Sequence, residues 1–197
     1  MQHVVVFLGA VLLLAGCASP PLVDRGRETT SGRAMALRLD SGIRNFARVT
    51  PSLYRGGQPR EDGFAELARR GVRTIVNLRR HHDEAAAAAR SGLAYERIPL
   101  EAGLFGSTAP TDEQVRRFLT LVTDPARQPV FVHCAHGSDR TGTMIALYRI
   151  QVEGWTNEEA IEEMQAFGYH DVYRDLIDYV RAFHPFEAAE PAPTGAH

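Results

Sequence analysis

The chain has 197 residues, and its 22 basic and 24 acidic side chains give a formal net charge of -2 at pH 7. This balance argues against a nucleic-acid-binding protein, because such proteins carry an excess or a concentrated patch of positive charge. Every basic residue is arginine, so covalent catalysis by lysine is excluded. The length suits one domain with its own hydrophobic core and additional terminal segments.

The N-terminus begins with an uncharged apolar run, VVVFLGAVLLLAGC, which ends in small residues at Cys17. The run is too short to span a bilayer and has the length of the apolar part of a secretory signal peptide. Leu14 to Cys17 resemble the lipobox of bacterial lipoproteins, which implies cleavage before Cys17 and lipidation of that residue. We expect residues 1–16 to be a signal peptide; the alternative is a buried N-terminal strand.

The lipobox resemblance also implies a location. A lipidated Cys17 would hold the protein in the bacterial cell envelope, with the membrane as a partner, at the periplasmic face of the outer membrane in a diderm cell. Cys134 would then be the only free thiol, since the chain has two cysteines, and no internal disulfide is expected.

Polar sequence flanks the region in which folding is expected. Residues 17–45 start with a Pro-containing stretch and lack sustained periodicity, which predicts a lipid-anchored flexible tether. Residues 187–197, EAAEPAPTGAH, have the same character and are predicted to be a disordered tail. The domain is therefore predicted to occupy residues 46–186.

Within this domain, apolar runs alternate with amphipathic segments. The apolar runs predict strands at 72–78, 93–100 and 129–134. The segments with helical patterns predict helices at 61–70, 83–91, from Thr111 onward, from Thr156 to near Gly168, and 171–183. Residues 141–153 are apolar nearly all round, which predicts a buried helix. Thr111 with Gln114, and Thr156 with Glu159, form capping boxes. The alternation predicts a single α/β domain with a mainly parallel sheet flanked by helices.

The segment HCAHGSDRTG, residues 133–142, joins a predicted buried strand to a predicted buried helix. Backbone N–H groups converge at such a junction and bind anions. The helix dipole and Arg140 favour the thiolate of Cys134. Gly137 allows a tight turn, and the planar guanidinium of Arg140 holds two oxygens of one oxyanion. The pattern predicts phosphoryl transfer through a phosphocysteine.

The same residues resemble the HCxxGxxR signature loop of the cysteine-dependent protein tyrosine and dual-specificity phosphatases. Together with LYRGGQP (53–59), GVRTIVNLR (71–79) and DEQVRRFL (112–119), they resemble the compact atypical dual-specificity phosphatases of bacteria and plants, over residues 48–183.

This resemblance implies a role for each matching residue. Cys134 is the nucleophile, Arg140 clamps the phosphate, His133 tunes the thiol, and Thr141 assists hydrolysis of the intermediate. No metal or organic cofactor is implied. The phosphate-binding loop consists of His133, Ala135, His136, Gly137, Ser138, Asp139 and Arg140.

Three carboxylates are candidates for the general acid. Asp139 lies in the loop, as in the CxxGxDR loops of myotubularin-like phosphatases, and is the first choice. Asp112 is the second, because it precedes Cys134 by the distance at which the family's acid loop usually lies. Glu101 is the third. Each has a structural alternative: Asp139 holds Arg140, Asp112 complements a helix dipole, and Glu101 is solvated.

Three further features have open interpretations. His136 lies among metal-ligand residue types, but loop geometry favours a place on the pocket rim over metal binding. The residues 81–84, HHDE, follow a predicted strand and either face the same mouth or form a solvated helix start, which we favour. Arg55, followed by two glycines, either approaches the site or belongs to an ordinary loop.

The expected substrate is a phosphorylated protein or a small phosphomonoester. A phosphoinositide or inositol phosphate is the alternative, although the loop lacks the lysines that often meet a dense substrate charge. Two other classes remain: rhodanese-like or arsenate-reducing chemistry, and a catalytically silent phosphate-binding module tethered to a membrane. The sequence makes no prediction of the oligomeric state.

Overall fold

The computed structural model of the protein describes residues 26–103 and 106–187. The predicted signal peptide, Cys17 and residues 188–197 of the predicted tail lie outside the described residues. The strands are β1 Leu37–Arg38, β2 Ala47–Thr50, β3 Leu53–Gly56, β4 Thr74–Arg79, β5 Ala94–Leu100, β6 Ala102–Gly103, β7 Gly106–Ser107 and β8 Val130–His133. The helices are α1 Glu61–Arg69, α2 Ala85–Arg90, α3 Asp112–Thr123, α4 Asp139–Glu153, α5 Asn157–Ala166 and α6 Arg174–Ala182.

The main sheet has six strands in the order β1-β2-β3-β8-β4-β5. Strands β3, β8, β4 and β5 run parallel, and β1 and β2 extend the sheet antiparallel at one edge. This arrangement confirms the predicted single α/β domain with a mainly parallel sheet. Because β8 has a parallel neighbour on each side, its carboxyl end lies in the middle of the edge where α/β proteins bind ligands.

Helices cover both faces of the sheet, and β8 shows why its sequence is apolar throughout. Val130 and Val132 pack in the larger core, with residues of α3 to α6. Phe131 points to the opposite face, where it joins a second core with residues of α1 and α2. Since successive side chains of a strand alternate between faces, a strand buried on both sides is a continuous apolar run.

The predicted strands at 72–78, 93–100 and 129–134 correspond to β4, β5 and β8, and the six predicted helices are all present among the described residues. The pattern missed β2 and β3, which have four residues each and are too short to show periodicity. None of the helices in the described ranges combines the length and the hydropathy needed to cross a membrane.

The structure corrects the N-terminal boundary of the domain. Residues 26–45 were predicted to be part of a flexible tether, but β1 within them pairs with β2. The backbone N–H of Ala36 donates to the buried carboxylate of Glu163 at 2.6 Å, and the same carboxylate pairs with Arg149 at 2.8 Å. Strand β1 has only two residues at the sheet edge, so its sequence shows no alternation of apolar and polar residues. Its conformation is stabilised by pairing with β2.

Four tyrosines that are buried or partly buried lower the stability of the fold at alkaline pH. Burial raises the pKa of Tyr95, Tyr148, Tyr169 and Tyr179 above the usual 10.0. As pH rises, these tyrosines ionise in the unfolded chain at a lower pH than in the folded protein. Their contribution to stability is therefore complete below pH 10 and is lost as pH rises through their pKa values in the folded protein. Arg55 opposes this trend, because burial lowers its pKa to about 10.

Burial also lowers the pKa of Arg38. With four tyrosines against two arginines, we expect the free energy of unfolding to fall as pH rises above about 10. Urea unfolding followed by circular dichroism at a series of pH values measures this fall. Tyr179→Phe should make the dependence shallower. A flat free energy across this range would contradict the expectation.

Candidate active site

The loop predicted to bind phosphate starts at the carboxyl end of β8 and leads into α4. The Cys134 thiol is 1% exposed, and its Sγ accepts a hydrogen bond from the backbone N–H of Gly137 at 3.3 Å. Gly137 has a φ of 76°, a left-handed conformation that favours glycine. The turn therefore folds the loop back over the sulfur, with one backbone amide already directed at it.

The LYRGGQP motif forms the wall behind this loop. A Cβ atom placed on Gly137 would lie 2.5 Å from the carbonyl carbon of Gly56, and one placed on Gly57 would lie 3.1 Å from that of His136. The backbone N–H of Gln58 donates to the carbonyl of Ala135 at 3.2 Å. Two backbones thus contact each other directly, which is possible only where side chains are absent.

Arg55 belongs to the site, which resolves the two interpretations of its motif. The side chain is fully buried, and Nη2 donates to the carbonyl of Gly137 at 2.9 Å. Its guanidinium stacks on the ring of Phe167, with Cζ 3.9 Å from the centroid. Burial lowers the pKa of Arg55 to about 10, a shift that the charges of Glu163 and Cys134 oppose. Arg55 is therefore a cation at neutral pH behind the thiol.

His133 lies behind the loop on the other side and is fully buried. Nδ1 lies 3.1 Å from the carbonyl oxygen of Cys134, and Nε2 lies 3.1 Å from Oε2 of Glu84. The second contact does not meet hydrogen-bond geometry, and Nε2 has no hydrogen-bond partner among the described residues. His133 thus links the nucleophile's backbone to a buried carboxylate.

Glu84 corrects one sequence interpretation. Residues 81–84 were predicted to form a solvated helix start, and His81, His82 and Asp83 are indeed exposed. Glu84 is 6% exposed instead, and its Oε2 accepts a hydrogen bond from Nδ2 of Asn77 at 2.8 Å. The sequence contained no signal for this, because the burial of Glu84 depends on its packing against His133, which lies on β8 far along the chain.

The three candidate acids occupy different surroundings. The Asp139 carboxylate is buried, and its Oδ1 accepts a hydrogen bond from the backbone N–H of His170 and lies 2.9 Å from the ring Nδ1 of that residue. Asp112 accepts a hydrogen bond from the hydroxyl of Tyr179 on α6 at 2.7 Å. Glu101 forms an exposed ion pair with Arg80. Of the three, only Asp139 lies in the phosphate-binding loop.

The remaining loop residues differ in exposure. The side chain of His136 is exposed and that of Arg140 is partly buried, and no ion pair of Arg140 occurs within the described part of the chain. Ser138 and Thr141 are buried. The predicted restraint of Arg140 by Asp139 is therefore not seen. Within the described ranges, no three His, Cys, Asp or Glu side chains come together as a metal-binding group.

Asn45 is a site residue that the sequence interpretation missed. Its φ of 51° places it in the left-handed region. Its Nδ2 donates to the carbonyl of His136 at 3.1 Å and approaches Oγ of Ser138 at 3.2 Å. A cleft of about 580 Å³ opens here beside the loop. Its lining includes Arg38, Arg44, Asn45, His136, Ser138 and His170.

Known proteins are similar to this chain in sequence and in architecture. The family model described as "DSP-PTPase phosphatase fused to NAD+ Kinase" matches residues 41–175. The dual specificity protein phosphatase TpbA of Pseudomonas aeruginosa is 35% identical over 177 residues, which cover 88% of this chain and 76% of the relative. Inositol diphosphatase DSP2 of Oryza sativa subsp. japonica is 27% identical, over 62% of this chain and 61% of the relative.

The solved structures agree with the sequence matches. The crystal structure of P. aeruginosa TpbA has a TM-score of 0.66 and 35% identity, over 76% of this chain and 91% of the other. A cysteine-to-serine variant of TpbA in complex with pTyr has a TM-score of 0.64 and 34% identity, over 75% and 89% of the two chains. Residues 133–142 form the signature loop of the cysteine-based phosphatases. The chain therefore belongs to the dual-specificity protein tyrosine phosphatase family.

Proposed function

We propose that the enzyme hydrolyses phosphomonoesters in two steps through a phosphocysteine on Cys134. The observation that carries this proposal is the loop itself, in which a backbone N–H already donates to the sulfur. The thiolate attacks phosphorus, a P–S bond forms, and the P–O bond to the leaving group breaks. Arg140 binds two of the three phosphoryl oxygens during this transfer. Water then attacks phosphorus and releases inorganic phosphate and the thiolate.

Thr141 is assigned to the second step. It follows Arg140 directly, its hydroxyl is buried, and Oγ1 lies 3.5 Å from the carbonyl oxygen of Gly56. In this proposal the hydroxyl leaves the Gly56 carbonyl and donates to the sulfur that leaves when water attacks. Loss of this hydroxyl should slow breakdown of the intermediate more than its formation.

The leaving oxygen needs a proton, and we propose that Asp139 supplies it. Oδ1 of Asp139 is held by His170, which leaves Oδ2 for the substrate. With phenyl phosphate, a substrate with a poor leaving group, Asp139→Asn should lower kcat by about 100-fold. With p-nitrophenyl phosphate the loss should be smaller, because the leaving group needs less protonation.

Asp112→Asn is the matched control for this experiment. It should stay within about twofold of the wild type on both substrates, because Asp112 binds Tyr179 instead. The measurement is kcat against pH. If Asp112→Asn loses the basic limb of the profile and Asp139→Asn retains it, the assignment is reversed.

For the substrate we propose a phosphorylated protein, with phosphotyrosine preferred. TpbA is named a dual specificity protein phosphatase, and its cysteine-to-serine variant has been crystallised with pTyr. An inositol polyphosphate is the second candidate, which the name of the rice relative supports. The guanidinium groups of Arg38 and Arg44 on the cleft beside the loop favour additional negative charge on the substrate.

Values of kcat/KM for a phosphotyrosine peptide, a phosphoserine peptide and an inositol polyphosphate separate these candidates. The proposal expects the phosphotyrosine peptide to be the best substrate, with little effect of Arg44→Ala. A higher value for the inositol polyphosphate, lowered about tenfold or more by Arg44→Ala, would support the second candidate instead.

We also propose that the enzyme is anchored in the cell envelope through Cys17. Only the LAGC sequence supports this proposal. Labelling of cells with radioactive palmitate should mark the wild type and not Cys17→Ala, and fractionation should recover the wild type with membranes. Unlabelled wild type in the cytosol would contradict the proposal.

A further inference from the structure

We propose that Asn45 is a positioning residue for phosphate binding: its side-chain amide holds the carbonyl of His136 outward, so that the N–H of Gly137 stays directed at the bound phosphoryl group. This inference rests on the proposed function, in which the loop binds that group. Asn45 lies in the turn before β2, 91 residues before His136. It acts on the phosphoryl group only through the backbone of the loop.

The peptide group between His136 and Gly137 is held from both sides. It is trans, since the one cis peptide bond among the described residues precedes Pro129. In a trans peptide group the carbonyl and the N–H point in opposite directions. The carbonyl accepts from Nδ2 of Asn45 at 3.1 Å, and the N–H donates to Sγ of Cys134 at 3.3 Å. Rotation of this group would break both hydrogen bonds, so Asn45 keeps the N–H directed at the place of reaction.

The two neighbouring peptide groups of the loop are held in the same way. The backbone N–H of Gln58 donates to the carbonyl of Ala135 at 3.2 Å, and Nη2 of Arg55 donates to the carbonyl of Gly137 at 2.9 Å. Three consecutive loop carbonyls therefore accept hydrogen bonds from donors within residues 45–58. By the same trans geometry, the N–H groups that follow these carbonyls face the opposite side, where the loop binds an anion.

The partners of the Asn45 amide fix which way it points. Its Oδ1 accepts from Nη1 of Arg38 at 2.9 Å, and a guanidinium can only donate. Nδ2 therefore faces the loop, where it also donates to the carbonyl of Phe167 at 3.3 Å. The φ of 51° at Asn45 is left-handed, a conformation that asparagine adopts more readily than most residues. The turn thus directs a rigidly held donor at the loop.

Binding of inorganic phosphate to full-length protein, measured by calorimetry, tests this inference without requiring turnover. Asn45→Gly removes the amide and keeps the left-handed backbone, and the Kd for phosphate should rise about tenfold. Asn157→Ala is the matched control. Asn157 is also half-buried, and its Nδ2 donates to three backbone carbonyls between Val180 and Phe183, at 2.7, 3.2 and 2.9 Å. Both variants should unfold at lower urea, but Asn157→Ala should keep the Kd within about twofold of the wild type.

A second variant separates positioning of the loop from a merely structural role in the turn. Asn45→Ala also lacks the amide and adds strain at the φ of 51°. If Asn45 only held the turn, Asn45→Ala would weaken phosphate binding and Asn45→Gly would not. Our inference expects equal Kd values for the two variants, with the lower urea midpoint for Asn45→Ala. It is overturned if Asn45→Gly keeps the wild-type Kd.

The backbone amide of Gly137 gives a direct readout by NMR. Phosphate should shift its resonance in the wild type. In Asn45→Gly the resonance of the free protein should be displaced, and the shift caused by phosphate should be smaller. The amide of Gly71, between α1 and β4, is the reference and should stay unchanged. A Gly137 resonance with the wild-type position and response in Asn45→Gly would contradict the inference.

These measurements also distinguish this inference from the proposed function. A wild type that binds phosphate and hydrolyses no phosphomonoester, with the expected effects of Asn45→Gly on Kd, would reject the proposed function and leave the inference standing. Normal turnover in the wild type with an unchanged Kd in Asn45→Gly would reject the inference alone. A wild type that binds no phosphate would overturn both.

Discussion

Cys134→Ser is expected to lower the turnover of p-nitrophenyl phosphate by at least about 10⁴-fold, without loss of phosphate binding. A serine hydroxyl in this position is not ionised near neutral pH, so the nucleophile is lost. The loop amides and Arg140 remain, because serine differs from cysteine in one atom, which is buried and which accepts from the backbone N–H of Gly137. Kinetics and binding of inorganic phosphate by calorimetry measure the two quantities.

Cys17→Ser is the matched control, since it removes the other cysteine of the chain and should keep full turnover. Residual activity of Cys134→Ser within about tenfold of the wild type would mean that another group attacks phosphorus. Loss of phosphate binding together with activity would mean that the thiol organises the loop.

Gly137→Ala is expected to lower kcat/KM by about 100-fold or more and the free energy of unfolding by about 2–4 kcal/mol. The left-handed φ of 76° disfavours any side chain. The added Cβ would also lie 2.5 Å from the carbonyl carbon of Gly56, and backbone cannot yield as a flexible side chain does. The loop would move away from β3, and with it the N–H that donates to Cys134.

Gly71→Ala is the control for backbone strain alone. Gly71 has a φ of 81°, and a Cβ there would meet no atom within 4 Å. We expect a loss of about 1 kcal/mol in the free energy of unfolding and no change in kinetics. Urea unfolding and steady-state kinetics measure both variants. If Gly137→Ala behaved like Gly71→Ala, the close contact between the two loops would be irrelevant to catalysis.

The central part of the fold was predictable because its elements are long or strongly patterned. Strands β4, β5 and β8 are apolar runs, and the capping boxes at Thr111 and Thr156 mark the starts of α3 and α5. Strand β3 was not predictable, because it contains an arginine and only four residues. Its arginine is buried through contacts with Gly137 and Phe167, which the local sequence does not show.

The site also contains residues that the sequence indicated and residues that it did not. The signature motif identified Cys134, Gly137 and Arg140, because their spacing along one loop has a direct chemical meaning. Asn45 and Glu84 reach the loop from elsewhere in the chain, so nothing adjacent to them indicated their role. The sequence ranked Asp139 before Asp112 as the candidate acid, but it could not show the contact of Asp112 with α6, which exists only in the folded chain.

The most direct test of the account is to trap the phosphoenzyme. Full-length enzyme is mixed with p-nitrophenyl [³²P]phosphate, quenched in acid within one turnover, and digested with trypsin. We predict a phosphocysteine at Cys134, with label on the peptide of residues 128–140, and no label in Cys134→Ser. Turnover of the wild type with label on another residue, or with no labelled enzyme at any quench time, would contradict it.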